Sequence, residues 1–176
     1  MNTAQPYTIQ SATPDQAAAF GKLLVDVYST LPGFPDPDQQ PQYYDMLRHV
    51  GRMLDKPATD ILLALSPCAE LLGGVVYFGD MADYGSGGSA TSLQNSAGIR
   101  LLGVAPAHRQ AGIGKALTLA SIQRAREEGR QQMVLHTTAA MQQAWAMYER
   151  LGFTRFTDID FMQQTLPVFG FRLPLF

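Results

Sequence analysis

Residues Val104 to Leu117 read V-A-P-A-H-R-Q-A-G-I-G-K-A-L. They follow an apolar, strand-like run (Ile99, Leu101, Leu102, Val104) and open a long helical pattern. A loop with Gly112 and Gly114 at a helix start exposes several backbone N–H groups in one small volume, and the helix dipole adds partial positive charge there. Such a place suits a phosphate or pyrophosphate. The pattern therefore indicates a ligand class before it indicates a reaction.

Three phosphate-binding loops compete for this stretch. A Walker A loop needs G-x-x-x-x-G-K-[ST], but Arg109 stands at the early glycine and Ala116 follows Lys115, leaving no hydroxyl for magnesium. A dinucleotide fingerprint needs G-x-G-x-x-G, but Leu117 holds the third glycine position. The next strand, Met133–Thr137, also ends without the acidic residue a ribose would require. The pattern V-x-P-x-x-R-x-x-G-I-G-x-x-L fits throughout, and it closely resembles the acetyl-CoA signature of the GNAT family of N-acetyltransferases. A second segment, Ala144-Trp145-Ala146-Met147-Tyr148-Glu149-Arg150-Leu151-Gly152-Phe153, resembles that family's A-x-x-x-Y-E-x-x-G-F motif.

The resemblance implies roles for particular residues. Gln110, Ala111, Gly112, Ile113, Gly114 and Lys115 would surround the pyrophosphate with backbone N–H groups, with Arg109 beginning the loop. Leu102, Gly103 and Val104 lie on the strand that the family pairs with the pantetheine arm, and the Val104 N–H would polarise the thioester carbonyl. Tyr148 matches the tyrosine placed to protonate the departing thiolate. Acetyl-CoA is then a cosubstrate. The acceptor would be a primary amine of a small molecule, a peptide N-terminus or a lysine, attacking directly.

The chain departs from the family pattern in two places. Many members carry a glutamate early on the strand before the glycine loop, where it takes a proton from the amine. Here that stretch is Asn95-Ser96-Ala97-Gly98-Ile99, without a carboxylate. A protonated amine is no nucleophile, so a proton acceptor is required. Asp80, Asp83 or ordered water are the substitutes. Met141 stands where asparagine is frequent. The missing carboxylate motivates an alternative, a non-catalytic acyl-CoA-binding module or sensor. A structural α/β domain without a ligand is the third reading.

Other chemically capable residues carry less. Tyr148 shares a helix face with Met141, Ala144 and Trp145, so a core tyrosine is its other reading. His136 ends a strand, either lining the cleft or held as a strand-end histidine. His49 and His108 have no metal-ligand spacing, and no metal is expected. Tyr28, Phe34, Tyr43 and Tyr44 crowd the first two helices, a region that covers the acceptor side in the resembled family. An aromatic wall there would suit an apolar or amphipathic amine; ordinary packing explains it equally well.

Positioning these residues requires an α/β frame. A Thr13 cap with Pro14 opens a first helix carrying Ala17, Phe20, Leu24 and Val27 at helical spacing. Leu31–Pro41 holds four prolines and reads as a loop. A second helix is expected from Gln42 to Leu54. Strands are expected at Tyr7–Ser11, Asp60–Leu65, Leu71–Phe78, Ala97–Val104, Met133–Thr137, Phe153–Asp160 and Gly170–Leu175. Helices are expected at Gly112–Glu128 and Met141–Arg150. Asp80–Asn95, rich in Gly and Ser, reads as a mobile loop. The order β-α-α-β-β-β-α-β-α-β-β matches the fold of the resembled family, and the resemblance implies one GNAT-like domain over residues 1–176. Its sheet would be mixed and mostly antiparallel, with helices on both faces.

Composition bounds the partners. With 176 residues, 46% hydrophobic content and a net charge of -2, the chain suits one globular domain and lacks the basic face of a nucleic-acid binder. Its longest apolar runs are too short to span a bilayer. Cys68 is the only cysteine, and Met1–Gln10 shows no signal-peptide pattern, so a cytoplasmic location is expected. The apolar segment Pro167–Phe176 either closes the sheet or pairs across a homodimer.

Overall fold

The computed structural model describes residues 6–176; part of the Met1–Gln10 stretch therefore lies outside the described residues. Eight strands form the sheet: β1 (Thr8–Ser11), β2 (Thr59–Leu65), β3 (Leu71–Phe78), β4 (Ser96–Val104), β5 (Gln132–Thr137), β6 (Thr154–Arg155), β7 (Phe161–Gln163) and β8 (Leu166–Pro174). The order is β1-β2-β3-β4-β5-β8-β6, with β7 hairpinned onto β8. All pairings are antiparallel except β4 with β5. Strand β8 lies between β5 and β6, so the apolar C-terminal segment closes the sheet.

Four helices cover the two faces: α1 (Pro14–Ser29), α2 (Pro41–Arg48), α3 (Ile113–Glu127) and α4 (Gln142–Arg150). Phe20 and Leu24 of α1 pack with Tyr44 and Leu47 of α2 in one cluster. Ile113, Leu117 and Ile122 of α3 pack with Tyr148 of α4 in the other. Helix α1 starts as expected, in a capping box. Thr13 Oγ1 accepts from the Gln16 amide, and the Gln16 side chain accepts from the Thr13 amide.

Three expectations are corrected. The second helix is shorter: α2 stops at Arg48, and Val50–Asp55 continues as a 3-10 turn, because Gly51 and the His49 corner interrupt the α pattern. The Phe153–Asp160 strand shrinks to Thr154–Arg155 before a 3-10 turn at Thr157–Ile159, and β7 was not anticipated. The Asp80–Asn95 segment is packed, not a loose loop. It holds 3-10 turns at Met81–Asp83 and Ala90–Ser92 and buries Met81, Tyr84 and Ala90. Ser89 Oγ donates to the Asp158 carbonyl at 2.8 Å, tying the segment to the C-terminal part.

The feature that creates the site is the parting of β4 and β5. Their ladder runs only from Ser96↔Gln132 to Ile99↔Leu135. Just beyond, the β3–β4 register slips between Gly74 and Val76, and Leu101 takes a left-handed φ of 60°. A bulge of this kind bends its strand. The remainder of β4 leaves β5 and opens a wedge in the middle of the sheet.

Candidate active site

A cleft of about 980 Å³ occupies the wedge. Its walls are the end of β4, the loop before α3, the start of α4 and the C-terminal end of α1. Of the residues singled out in the sequence, Leu102, Gly103, Val104, Arg109, Gln110, Gly112, Ile113, Gly114 and Lys115 line it; Ala111 and Tyr148 do not.

Backbone direction explains what β4 offers. The Ala105 amide donates to the Leu72 carbonyl, and Gly73 lies opposite Val104. Bonded and non-bonded pairs alternate along an antiparallel ladder, so the Val104 N–H and C=O point away from β3, into the wedge. The Leu102 carbonyl also faces that side, where it accepts from the Tyr28 hydroxyl at 3.2 Å.

The loop before α3 is shaped for an anion. Gln110 (φ 66°) and Gly112 (φ 78°) are both left-handed, a geometry that gathers successive N–H groups into a concave nest. Gly112 is the helix cap and offers no side chain; a Cβ there would meet nothing within 4 Å, but would hold a backbone conformation that other residues adopt at a cost. The first helical bond runs from the Ala116 amide to Gly112, so the amides of Ile113, Gly114 and Lys115 have no intrahelical acceptor. No acidic residue occupies the first turn of α3, and Lys115 lies within it. Ile113 contributes its backbone only, since its side chain is buried in the core. These donors fit the pyrophosphate and amide-bearing arm of a coenzyme A thioester.

Tyr148 sits on α4, 5% exposed, with its ring against Phe153. Burial pushes its phenol well above the usual range, with the neighbouring Tyr84 adding to the shift. No hydrogen bond from its hydroxyl is found among the described residues. Burial raises the Tyr28 phenol above its ordinary value, with Tyr43 and then Tyr148 adding to the shift. Sequence reading named Tyr28 only as part of an aromatic wall. The structure makes it a cleft residue bonded to β4. Met141 caps α4 without a side-chain hydrogen bond, the contact an asparagine there could supply.

Neither Asp80 nor Asp83, the expected substitutes for a base, reaches the cleft. Gly98 lies in the Asn95–Ile99 stretch that lacks the glutamate of the resembled family, and a Cβ there would lie 2.8 Å from the Tyr84 ring and 2.9 Å from Met81 Sδ. Tyr84 fills the space a carboxylate would need. Asp80 is exposed and caps the Met81–Asp83 turn, accepting from the Ala82 amide at 2.9 Å; neither it nor Asp83 borders the cleft. Among the described residues no carboxylate lines the cleft wall. His136 is held away from it. Its Nε2 faces the Ile159 carbonyl at 2.7 Å, so Nε2 carries the proton and Nδ1 accepts from the Tyr84 hydroxyl at 2.9 Å. Burial lowers its pKa and keeps the ring neutral. The strand-end reading of His136 is the correct one. No cluster of metal-ligating side chains is found among the described residues.

A split sheet beside a helix that starts at Gly112 with its first amides free makes a cleft suited to an acyl-CoA thioester. The sequence comparison agrees: the description "Acetyltransferase (GNAT) family" matches residues 25–153, and the chain belongs to that family of acyltransferases. It is 36% identical over 101 residues to a mycothiol acetyltransferase of Arthrobacter sp. (strain FB24), a match covering 57% of this chain and 29% of the relative. It is 44% identical over 64 residues to the mycothiol acetyltransferase of Pseudarthrobacter chlorophenolicus, covering 36% of this chain and 20% of the relative. The matches thus span under a third of the length of these curated relatives. Among solved structures, a GNAT-family acetyltransferase of Staphylococcus aureus Mu50 superposes with a TM-score of 0.73 at 16% identity, covering 97% of this chain and 99% of that one. The yncA protein of Salmonella typhimurium, solved with its cofactor acetyl-CoA, superposes with a TM-score of 0.64 at 19% identity, covering 97% and 94%.

Proposed function

We propose that this protein transfers the acetyl group of acetyl-CoA to a primary amine by direct attack on the thioester. The observation that carries the reading is that one cleft joins two kinds of free backbone donor: the N–H groups at the start of α3 and the outward-facing Val104 amide. The loop from Arg109 to Lys115 would hold the pyrophosphate, and Leu102, Gly103 and Val104 the amide-bearing arm. The Val104 N–H would stabilise the oxyanion that forms when the amine adds to the carbonyl. The amine nitrogen forms a C–N bond, the C–S bond breaks, and the thiolate leaves with its electron pair.

Tyr148 does not line the cleft, but its hydroxyl is not sealed from solvent, and the family resemblance assigns it as the donor toward that thiolate. Its raised pKa keeps the hydroxyl protonated through the neutral range and makes it a weak acid, so it acts by donating a hydrogen bond as negative charge grows on sulfur. With no carboxylate on the wall, the amine arrives as its neutral minority form or loses a proton to water, and the proton that the nitrogen sheds after C–N bond formation goes to water or to the leaving thiolate. Saturable, amine-dependent release of CoA thiol is the expected result. Binding of acetyl-CoA without release across a broad amine panel would sink the transfer reading and favour a second one, a CoA-binding module. The filling of the Gly98 position by Tyr84 favours that alternative.

A further inference from the structure

The lining of the cleft is charged at one end only. His108, Arg109 and Lys115 stand in and after the loop before α3, and Arg150 follows Met147 on α4, whose Sδ would lie 3.8 Å from a Cβ on Gly114. The other end is made by Val27, Tyr28, Leu31, Pro32, Ala140 and Met141. The chain after α1 meets the chain after β5 there: a Cβ on Gly33 would lie 3.7 Å from the Ala140 Cβ. The Tyr28 hydroxyl ties this end to β4 through the Leu102 carbonyl. Its phenol is kept protonated by burial, and the other five side chains are apolar. Nearby charges stay outside the lining. Asp36 accepts from the Gln39 amide at 2.9 Å, Glu149 accepts from the Trp145 indole at 2.9 Å, Asp26 is exposed on α1, and Arg100 Nη1 donates to the Tyr84 carbonyl.

The direction of β4 determines which end receives the amine. The strand runs from Leu102 through Val104 toward the loop assigned to the pyrophosphate. A thioester carbonyl on the Val104 N–H thus has the phosphates on its loop side and the uncharged end on its Leu102 side. An ammonium ion entering there exchanges water for apolar side chains without gaining a counter-charge, which is a costly transfer. A neutral amine avoids that cost. At about pH 7 roughly one α-amino group in ten is neutral, against fewer than about one lysine side chain in a thousand. The uncharged end therefore selects by basicity as well as by shape.

We propose that the acceptor is a weakly basic primary amine with an apolar body, bound in its neutral form at the Tyr28–Met141 end of the cleft. The α-amino groups of amides and peptides belong to this class; lysine side chains and polyamines do not. The inference rests on the transfer reading for turnover, not for binding. The test compares 2-phenylethylamine with 2,2-difluoro-2-phenylethylamine, which has nearly the same size and a much more acidic ammonium. kcat/KM is read from CoA release across the neutral and alkaline range. Binding is read by calorimetry with CoA present, in two buffers of different ionisation enthalpy. At about pH 7 the difluoro amine should be used about tenfold or more faster, and the parent amine should release about one proton as it binds. For each amine kcat/KM should climb with pH and level off at that amine's own pKa. Equal use of the two amines at neutral pH, a break at one shared pH, or binding of the parent without proton release overturns the proposal. So does failure of both amines to bind. Proton-linked binding without CoA release, here and across the broad amine panel, overturns the transfer reading and leaves the neutral-amine site standing. Leu31→Glu supplies the missing counter-charge and should bring the preference down toward one. Pro32→Glu, at an exposed position of the same lining, serves if melting temperatures show the Leu31 variant unfolded. A preference unchanged in the folded variant overturns the proposal.

Discussion

Two walls face each other across the cleft, and they are built from different materials. The donor wall, from Leu102 to Lys115, acts through backbone: amides turned outward by a bulge, and amides left free at a helix start. The opposite wall, Tyr28 with Leu31 and Pro32 and the residues around the start of α4, acts through side chains brought from separate stretches of chain, with Tyr43 packed behind Tyr28. A backbone wall needs few residue types and tolerates many others. A side-chain wall depends on the identity of each member. The donor half can thus stay constant while the acceptor half sets selectivity.

The contrast can be broken most severely at Gly112. Gly112→Asp puts a left-handed strain of about 1 kcal/mol or more and a negative charge at the anion nest, so the thermal shift with acetyl-CoA should vanish while the fold persists. A retained shift would remove the phosphate role from this loop. Tyr148→Phe tests the one side chain assigned to the donor chemistry. kcat should fall about tenfold or more with acetyl-CoA binding kept, and a smaller loss would exclude the acid role. With the phenol raised by burial, wild-type activity should not decline between about pH 8 and 10 through loss of that proton.

On the other wall, Gly98→Glu should not install a base. The new side chain would collide with the Tyr84 ring and Met81, and a stability loss of about 1–3 kcal/mol is expected in denaturant unfolding. A gain of activity instead would show that Tyr84 yields its place. The smallest effect concerns His136. Its folded pKa lies below the unfolded value of about 6.5, so the unfolded state takes up the proton first and stability falls as pH drops below that value. His136→Asn should flatten the fall in melting temperature between about pH 7 and 5.

The same contrast explains what could be read from the sequence. The donor wall is local: a strand, a glycine loop and a helix start within Ile99–Leu117 place all their amides together, and the Tyr148 segment fixes the facing helix. Those elements appear in the structure close to their expected bounds, as does the mixed sheet with helices on both faces. The acceptor side was not legible because it depends on contacts distant in sequence. Nothing local in Asp80–Asn95 announces that Tyr84 will fill the space above Gly98 and bond to His136. The short β7 strand, three residues against β8, is likewise set by its partner and not by its own pattern.

The four-residue ladder between β4 and β5 has a mechanical consequence. Strands β1 to β4 and strands β5 to β8 are two plates joined by a short seam, and the wedge lies beyond the end of that seam. A ligand seated in the wedge would touch the end of β4 on one side and α4, which follows β5, on the other. Hydrogen exchange should record this directly. The Val104 amide, which faces no strand in the free protein, should exchange quickly alone and slowly with acetyl-CoA. Slowing should extend to the Gln132–Thr137 amides as the two plates lock together.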